Sequence, residues 1–126
     1  MSKKREHGER NKALCEFLLE GKLYYDWVVT TAFYSSIHLV EDKLLPIDIN
    51  GVNCGDILSV KRCYRIPGRH AARERLVIDN MDIEIAIKYK WLDDRSRYAR
   101  YVTYKINAGE ANKANQYLKD IYNKCV

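Results

Sequence analysis

The chain has 126 residues, of which 47% are hydrophobic and 31% charged, and its net charge is +5. These proportions are typical of a soluble globular protein, so we expect one domain over residues 1–126 with its own apolar core. No apolar run approaches the about 18 residues that a membrane-spanning helix needs, so we expect no membrane contact.

A first helix is predicted from about Lys4 to Glu20. Leu14, Phe17 and Leu18 recur at helical spacing and should form its buried face. Gly21 is typical of the residue that follows the end of a helix. Since only a very short turn follows, the first two helices should pack antiparallel.

The second helix is predicted from Tyr25 to Leu45, where Pro46 stops it. It is apolar around much of its circumference, which indicates a central helix buried on several sides. Its main stripe is Val29, Phe33, Ile37, Val40 and Leu44, widened by Trp27, Val28, Ala32 and Leu39. One polar row remains, formed by Thr31, Ser35, His38 and Asp42. This row is either the contact of the helix with water or the floor of a site.

Residues 46–68 contain both prolines and three of the six glycines, so we expect a long loop between the second and third helices. A connection of this length is unusual in a compact domain and is often functional. Within it, a short piece such as Asp56–Cys63 could be ordered.

Three more helices follow. The third starts near Arg69 and ends at about Asn80, the fourth spans residues 83–106 after Asp82 as a cap, and the last spans residues 110–125 after a turn at 107–109. The buried row of the fourth is predicted as Ile83, Ile87, Trp91, Tyr98 and Tyr101, with Ala86 and Leu92 beside it and Asp94 in its gap. That of the last is Ala111, Ala114, Leu118, Ile121 and Cys125. We therefore predict an all-α fold, an antiparallel up-and-down bundle of four long helices and one shorter helix.

The positive charge is concentrated in residues 61–75, which by themselves carry +5. The basic residues of this segment are Lys61, Arg62, Arg65, Arg69, Arg73 and Arg75. Arginine favours two-pronged contacts with oxyanions such as phosphate, so the segment predicts binding of an anion or a nucleic acid. The alternative is a solvated surface whose arginines pair with acidic side chains elsewhere.

Common catalytic motifs are absent, among them the glycine-rich phosphate loops, the zinc-protease helix motif and the serine-hydrolase elbow. The four cysteines lack zinc spacing, which predicts free thiols in a cytoplasmic protein and neither a metal nor a cofactor. The one combination that could bind a metal is Cys54, Cys63 and His70.

Three segments, DWVVTTAFYSSIHLVEDKL, RHAARERL and YKWLDDRSRYARY, form a recognisable pattern of helix composition. Its positions here are Trp27, Phe33, Tyr34, His38, Ser96, Arg97, Arg100 and Tyr101. The pattern resembles the HEPN superfamily of small helical bundles, most of all its stand-alone prokaryotic members.

This resemblance implies a homodimeric, metal-independent endoribonuclease of a defence or toxin–antitoxin system, with an antitoxin or effector as protein partner. The signature of these enzymes is an arginine followed a few residues later by a histidine. Arg65 and His70 are the pair with this spacing, and they would be the catalytic residues. One group assists attack of the ribose 2′-OH on phosphorus, and the cation stabilises the developing negative charge.

Two further features are open to two interpretations. His38 could form a second catalytic site with Arg97 or Arg100, between the second and fourth helices, or belong to a buried polar network. Tyr64 could stack on an unpaired base or pack back onto the bundle.

Three functions therefore remain open. The first is an HEPN-like RNA-associated protein with endoribonuclease activity, acting as a homodimer. The second is a non-catalytic HEPN-like module that binds a nucleotide or a partner protein. The third is a helical scaffold whose basic segment is only surface.

Overall fold

The protein is described by a computed structural model that covers residues 2–126. Over these residues the chain forms six helices and one two-stranded antiparallel sheet, so the coarse prediction of a helical protein is confirmed. The elements are α1 (Lys3–Gly21), α2 (Tyr25–Leu44), β1 (Ile47–Ile49), β2 (Val52–Cys54), α3 (Ile57–Tyr64), α4 (Arg69–Asn80), α5 (Ile83–Tyr101) and α6 (Ala108–Cys125). Among residues 2–126, no helix is long and apolar enough to cross a membrane.

The central helix is α2, which contacts α1, α4, α5 and α6. Its predicted stripe is buried except for Leu44, which is partly buried, and Val29, Phe33 and Val40 are fully inaccessible to solvent. Trp27 is instead 52% exposed, because it lies in the first turn of α2 beside two open clefts. The stripe predicted for α6 is buried at all five positions, namely Ala111, Ala114, Leu118, Ile121 and Cys125.

The helices α1 and α2 pack antiparallel and approach closely. The Ser35 hydroxyl donates to the Gly8 carbonyl oxygen at 2.6 Å, and the Cys15 thiol donates to the Val28 carbonyl oxygen at 3.4 Å. A Cβ atom added at Gly8 would lie only 3.0 Å from two side-chain atoms of Leu39. The polar row of α2 therefore faces α1 at Ser35 instead of facing water.

The buried face predicted for α1 is wrong in part. Phe17 is 73% exposed and Leu14 is 44% exposed, whereas Leu18 packs against the core. Gly8 and Cys15 are buried instead. Small side chains let two helix axes approach closely, so the larger apolar residues of α1 remain on its outer side.

The buried face predicted for α5 is also wrong in part. Ile83, Ile87, Tyr98 and Tyr101 are exposed, whereas Ala86 and Leu92 are buried as predicted and Trp91 packs against the core. The buried residues are Ile85, Ala86, Tyr89, Leu92, Asp93, Ser96 and Ala99. Steps of three and four run through both rows, so periodicity alone does not distinguish them. The row that ends in the small residues Ser96 and Ala99 packs against the core. The carboxylate in this buried row is Asp93, whereas the prediction placed Asp94 there.

The end of α5 and the start of α6 also differ from the prediction. α5 stops at Tyr101, and α6 begins at Ala108. Asn107, predicted in a turn, is the N-cap of α6, and its side-chain oxygen accepts the Glu110 N–H at 2.8 Å. Asp82 precedes α5 as predicted, but its carboxylate pairs with Lys124 at 2.8 Å and makes no capping hydrogen bond.

The prediction of a long loop over residues 46–68 is wrong, because most of this segment is ordered as secondary structure. β1 and β2 pair antiparallel with Ile47 opposite Cys54. Asn50 and Gly51 form the turn with φ values of 51° and 81°, the backbone that Asn-Gly favours in two-residue hairpins. Asp56 then caps α3 by accepting a backbone N–H at 2.8 Å.

A second, smaller apolar cluster lies between the hairpin, α3 and α4. Its buried members are Ile49, Cys54, Ile57, Val60, Ala72 and Leu76. Since α4 also contacts α2 and α5, it is held from two sides. This arrangement sets the position of its first turn, which carries Arg69 and His70.

We predict that Gly8→Val lowers the free energy of unfolding by about 1–3 kcal/mol, because the new side chain meets Leu39 across the α1–α2 contact. Chemical denaturation measures this change. Gly21→Val is the matched control, since no atom lies within 4 Å of a Cβ added there. Equal losses in both variants would contradict a close helix contact at Gly8.

Candidate functional site

Two histidines and two arginines line one cleft between α2 and α4. The cleft has a volume of about 530 Å³, and its lining residues are Tyr34, Ile37, His38, Arg69, His70 and Arg73. His38 is half-buried, and His70 is exposed at the rim. The two histidines that the sequence assigns to alternative sites thus meet in the same cleft, which we call the histidine cleft.

The α2 wall of the histidine cleft is one helical face. Tyr34 and His38 are four residues apart and lie on the same side of the helix. The His7 ring of α1 stacks on the His38 ring, with centroids 3.8 Å apart and an angle of 19° between the planes. All three histidines of the chain therefore lie in or beside this cleft.

The α4 wall is the start of that helix. Arg69 and His70 are its first two residues, and Arg73 follows one turn later. The N-cap is Gly68, and no side chain of the described residues caps the free N–H groups of this first turn. Free N–H groups and the positive end of the helix dipole make a helix start attractive to anions.

A buried ion pair joins the two walls. Arg73 Nε lies 2.6 Å from Glu41 Oε2, and the two side chains are only 11% and 10% exposed. Removing one partner of such a pair leaves an uncompensated buried charge and is strongly destabilising. Arg73 is thus bound to α2, and it adds positive charge to the cleft without being a free ligand for an anion.

Burial lowers the pKa of both histidines below the ordinary value of 6.5. For His38, the charge of the neighbouring imidazole is the second cause. For His70, the charge of Arg73 comes second, and Arg97 and Arg100 of α5 act in the same direction. Both imidazoles are therefore mainly neutral near pH 7, which is the form that accepts a proton.

His70 contacts a buried aromatic ring and lies near a buried carboxylate. Its ring stacks on Phe33 at a centroid distance of 6.0 Å, and Phe33 contacts Tyr89 at 5.8 Å. The Asp93 side chain is also buried, at 1% exposure, and this burial raises its pKa. The charge of Asp93 raises the pKa of His70, whereas the nearby arginines lower it. Arg97 Nε lies 3.0 Å from Asp93 Oδ1, but this oxygen has no properly directed donor within residues 2–126. Arg97 is thus chiefly the ion-pair partner of Asp93.

Arg100 has unused hydrogen-bonding capacity. Its guanidinium lies over the rings of Tyr34 and Tyr101, at 5.3 Å from each centroid. Its Nε and Nη1 atoms are buried and have no partner in the part of the chain that the structure describes. Buried N–H groups are costly unless they are hydrogen-bonded, so a ligand with acceptor oxygens would relieve this cost.

Three of the predicted basic site residues lie in the last turn of α3 or cap its end, outside the lining of the histidine cleft. Lys61 and Arg62 are in its last turn. Arg65 is its exposed C-cap, with φ at 55° and its backbone N–H bonded to the end of the helix. The arginine–histidine spacing therefore does not bring Arg65 into the cleft with His70.

Tyr64 is not in a loop but is the last residue of α3, and it packs back onto α4. Its ring contacts the Arg75 guanidinium at 4.9 Å, and its hydroxyl donates to Asp79 at 3.4 Å. Burial raises its pKa. Arg75 also pairs with Asp79 at 2.9 Å, so both residues serve packing at this surface.

Residues that the sequence reading did not assign to the site include His7 and Asp93. The stacking of His7 on His38 depends on the register of α1 against α2, which the sequence does not contain. Asp93 had a usable signal, because Tyr89, Asp93 and Ser96 share a helical face. Tyr34 is part of the HEPN-like pattern, but nothing in that pattern indicates its contact with Arg100.

The described residues contain no group of three or more histidine, cysteine or acidic side chains that could hold a metal ion. Cys54, Cys63 and His70 therefore do not form the metal site that their chemistry would allow. All four cysteines are free thiols.

Comparison of the chain with protein-family models, with curated proteins and with solved structures finds no match. The likeness to HEPN proteins thus rests on the sequence pattern, and the function is inferred from the chemistry of the cleft.

We predict that acidification destabilises the protein partly through His38. Its pKa is lower in the folded chain than the 6.5 of an unfolded one. As the pH falls below 6.5 the unfolded chain takes up the proton first, so stability is lost until the folded pKa is passed. The free energy of unfolding should therefore fall less in His38→Gln than in the wild type between about pH 8 and about pH 5. An equal fall in both proteins would contradict the lowered pKa.

Proposed function

We propose that the protein binds RNA in the histidine cleft and cleaves it as a metal-independent endoribonuclease of the HEPN type. The observation that carries this proposal is the meeting of His38 and His70, from two helices, in one cleft bordered by arginines. RNA cleavage without a metal requires a base, an acid and a cation close to one phosphodiester. The cleft offers all three kinds of group.

The chemistry would proceed by attack of the ribose 2′-oxygen on the adjacent phosphorus. One neutral imidazole takes the 2′-OH proton, and the other, once protonated, gives a proton to the leaving 5′-oxygen. Arg69 and the free N–H groups at the start of α4 would stabilise the phosphorane oxygens directly, and the charge of Arg100, which acts at His70 from α5, would add to the positive potential. A bound phosphate also raises the pKa of a neighbouring imidazole, which would generate the required acid near neutral pH.

A base beside the scissile phosphate would stack on Tyr34. This ring borders the cleft, is 38% exposed and carries the Arg100 guanidinium at 5.3 Å. Aromatic rings and guanidinium planes are the usual platforms for unpaired bases. In this proposal Tyr34, and not Tyr64, takes the stacking role.

The finer features that the resemblance implies belong to the same proposal: an up-and-down bundle of the HEPN type, a cytoplasmic location, a homodimer and a defence or toxin–antitoxin role with a protein partner. Contiguous exposed apolar side chains support an interface at the end of the molecule where α2 begins. They are Leu23, Tyr24, Trp27, Tyr101 and Tyr104, which line two adjoining clefts. Such surfaces commonly mark protein contacts.

A second candidate is a non-catalytic HEPN-like module that binds a nucleotide or a partner protein. It is favoured by the lowered pKa of both histidines, which leaves little imidazolium to act as an acid at neutral pH. A cleft of about 530 Å³ also suits a single nucleotide.

We predict that the purified protein cleaves single-stranded RNA in EDTA and leaves 2′,3′-cyclic phosphate ends. His70→Ala and His38→Ala should each reduce the rate by about 10²-fold or more, because each would remove one proton-transfer group. The molar mass of the active fraction is measured by light scattering, which tests the homodimer in the same preparation.

The matched control for these variants is His7→Ala, which removes an imidazole beside the cleft and leaves both lining histidines in place. Activity that survives in all three variants would point to a contaminant. Absence of cleavage by the wild type, with retained binding of a mononucleotide, would favour the second candidate.

We further predict that Arg69→Ala weakens RNA binding about tenfold and reduces its salt dependence, because a phosphate contact is lost. Arg75→Ala is the control on the same helix, since Arg75 is paired with Asp79 and does not line the cleft. Fluorescence anisotropy at several salt concentrations measures both. Equal losses of RNA affinity in the two variants would indicate general electrostatic attraction to the basic segment. Unchanged affinity in both variants would contradict RNA binding at α4.

A further inference from the structure

Two cysteines that the proposed function does not use lie in contact. Cys54 Sγ on β2 is 3.4 Å from Cys63 Sγ on α3, and one of the two thiols donates a weak hydrogen bond to the other. The two residues belong to, or pack against, the second apolar cluster. The contact links the hairpin to the last turn of α3.

The two thiols differ in their access to solvent. Cys54 is fully buried, whereas Cys63 is half-buried. Cys15 and Cys125 belong to the main core, away from this cluster, so neither packs with the pair. An oxidant from solution would therefore meet Cys63 first, and Cys54 is the thiol placed to react with it next.

We propose that Cys54 and Cys63 form a redox-sensitive dithiol that a peroxide converts reversibly into an intramolecular disulfide. In the first step the Cys63 sulfur attacks one peroxide oxygen, the O–O bond breaks, and Cys63 becomes a sulfenic acid as one water leaves. In the second step the Cys54 sulfur attacks the Cys63 sulfur, the S–O bond breaks, and a second water leaves. Two thiols thus lose two electrons and two protons, and one peroxide is reduced to two waters.

The site is suited to a slow, reversible modification. Burial and the hydrogen bond with Cys63 raise the pKa of Cys54 to about 11, so its thiol is protonated in the resting protein. Disulfides in a reducing compartment are usually transient and regulatory, which fits two free thiols already in contact. The sulfurs need to approach from 3.4 Å to about 2.05 Å to form the bond.

The disulfide would tie β2 covalently to the last turn of α3. That turn is followed by the Arg65 cap and then by Gly68, the N-cap of α4. A link at this point would restrict opening of the second cluster and would constrain the unfolded chain. The oxidised protein should therefore melt at a higher temperature than the reduced protein.

The test treats the full chain with hydrogen peroxide, then alkylates the remaining thiols with N-ethylmaleimide in denaturant and measures the intact mass. We expect two alkyl groups on the oxidised protein against four on the reduced one, and a cross-linked peptide joining Cys54 to Cys63. Dithiothreitol should restore four alkyl groups and the original melting temperature.

Cys54→Ser keeps the half-buried Cys63 thiol and removes its partner, so treatment should stop at a sulfenic acid on Cys63 that dimedone traps. Cys15→Ser is the control and should still form the cross-link. If Cys54→Ser does not fold, Cys63→Ser gives the complementary test, since it should lose the cross-link and show no dimedone adduct at Cys54. Four alkyl groups on the treated wild type, or a cross-link between any other cysteines, would overturn the proposal.

Discussion

The ion pair between Arg73 and Glu41 makes the histidine cleft possible. Glu41 lies one turn beyond His38 on α2, so the same stretch of that helix carries both the imidazole and the anchor for α4. With the two charged atoms 2.6 Å apart and nearly excluded from water, the spacing between the helices has little freedom. The position of His70 opposite His38 follows from this spacing together with the packing of α4 on the small apolar cluster.

Charge within the cleft is not balanced by the protein itself. Of the two arginines that line it, Arg73 is matched by Glu41, whereas Arg69 forms no ion pair with any residue in the range 2–126. On α5 beside the cleft, Arg97 is matched by Asp93 and Arg100 has no ion-pair partner among the described residues. The open N-terminus of α4 adds further positive potential. Burial first, and nearby positive charge second, lower the pKa of both imidazoles in the free protein, and an entering phosphate would oppose this effect. Binding of the anion and creation of the acid would thus be coupled in one step.

The basic segment is divided between two surfaces. Its first part, on α3, carries Lys61, Arg62 and Arg65 away from the cleft, whereas its second part places Arg69 and Arg73 in the lining. In the proposed function the first part would attract a nucleic acid, and Arg69 of the second part would contact the reacting phosphate, while Arg73 stays paired with Glu41. The Cys54–Cys63 pair lies on the α3 side of this division, so its oxidation would act on the attracting surface and on the connection to α4, leaving the imidazoles themselves unchanged.

The sequence by itself determined what depends on local periodicity and turn chemistry. The bounds of α2 and α4 and the buried row of α6 follow from apolar spacing, proline and glycine. The dipeptide Asn50-Gly51 is itself typical of a two-residue hairpin turn. Choices between two equivalent faces were decided only by tertiary packing. The small side chains of Gly8 and Cys15 allow α1 to pack closely on α2, and those of Ser96 and Ala99 allow α5 to pack against the core. The same packing brings His7, His38 and His70 together from three helices, since side chains far apart in the chain meet only when helix register and inter-helix distance are set.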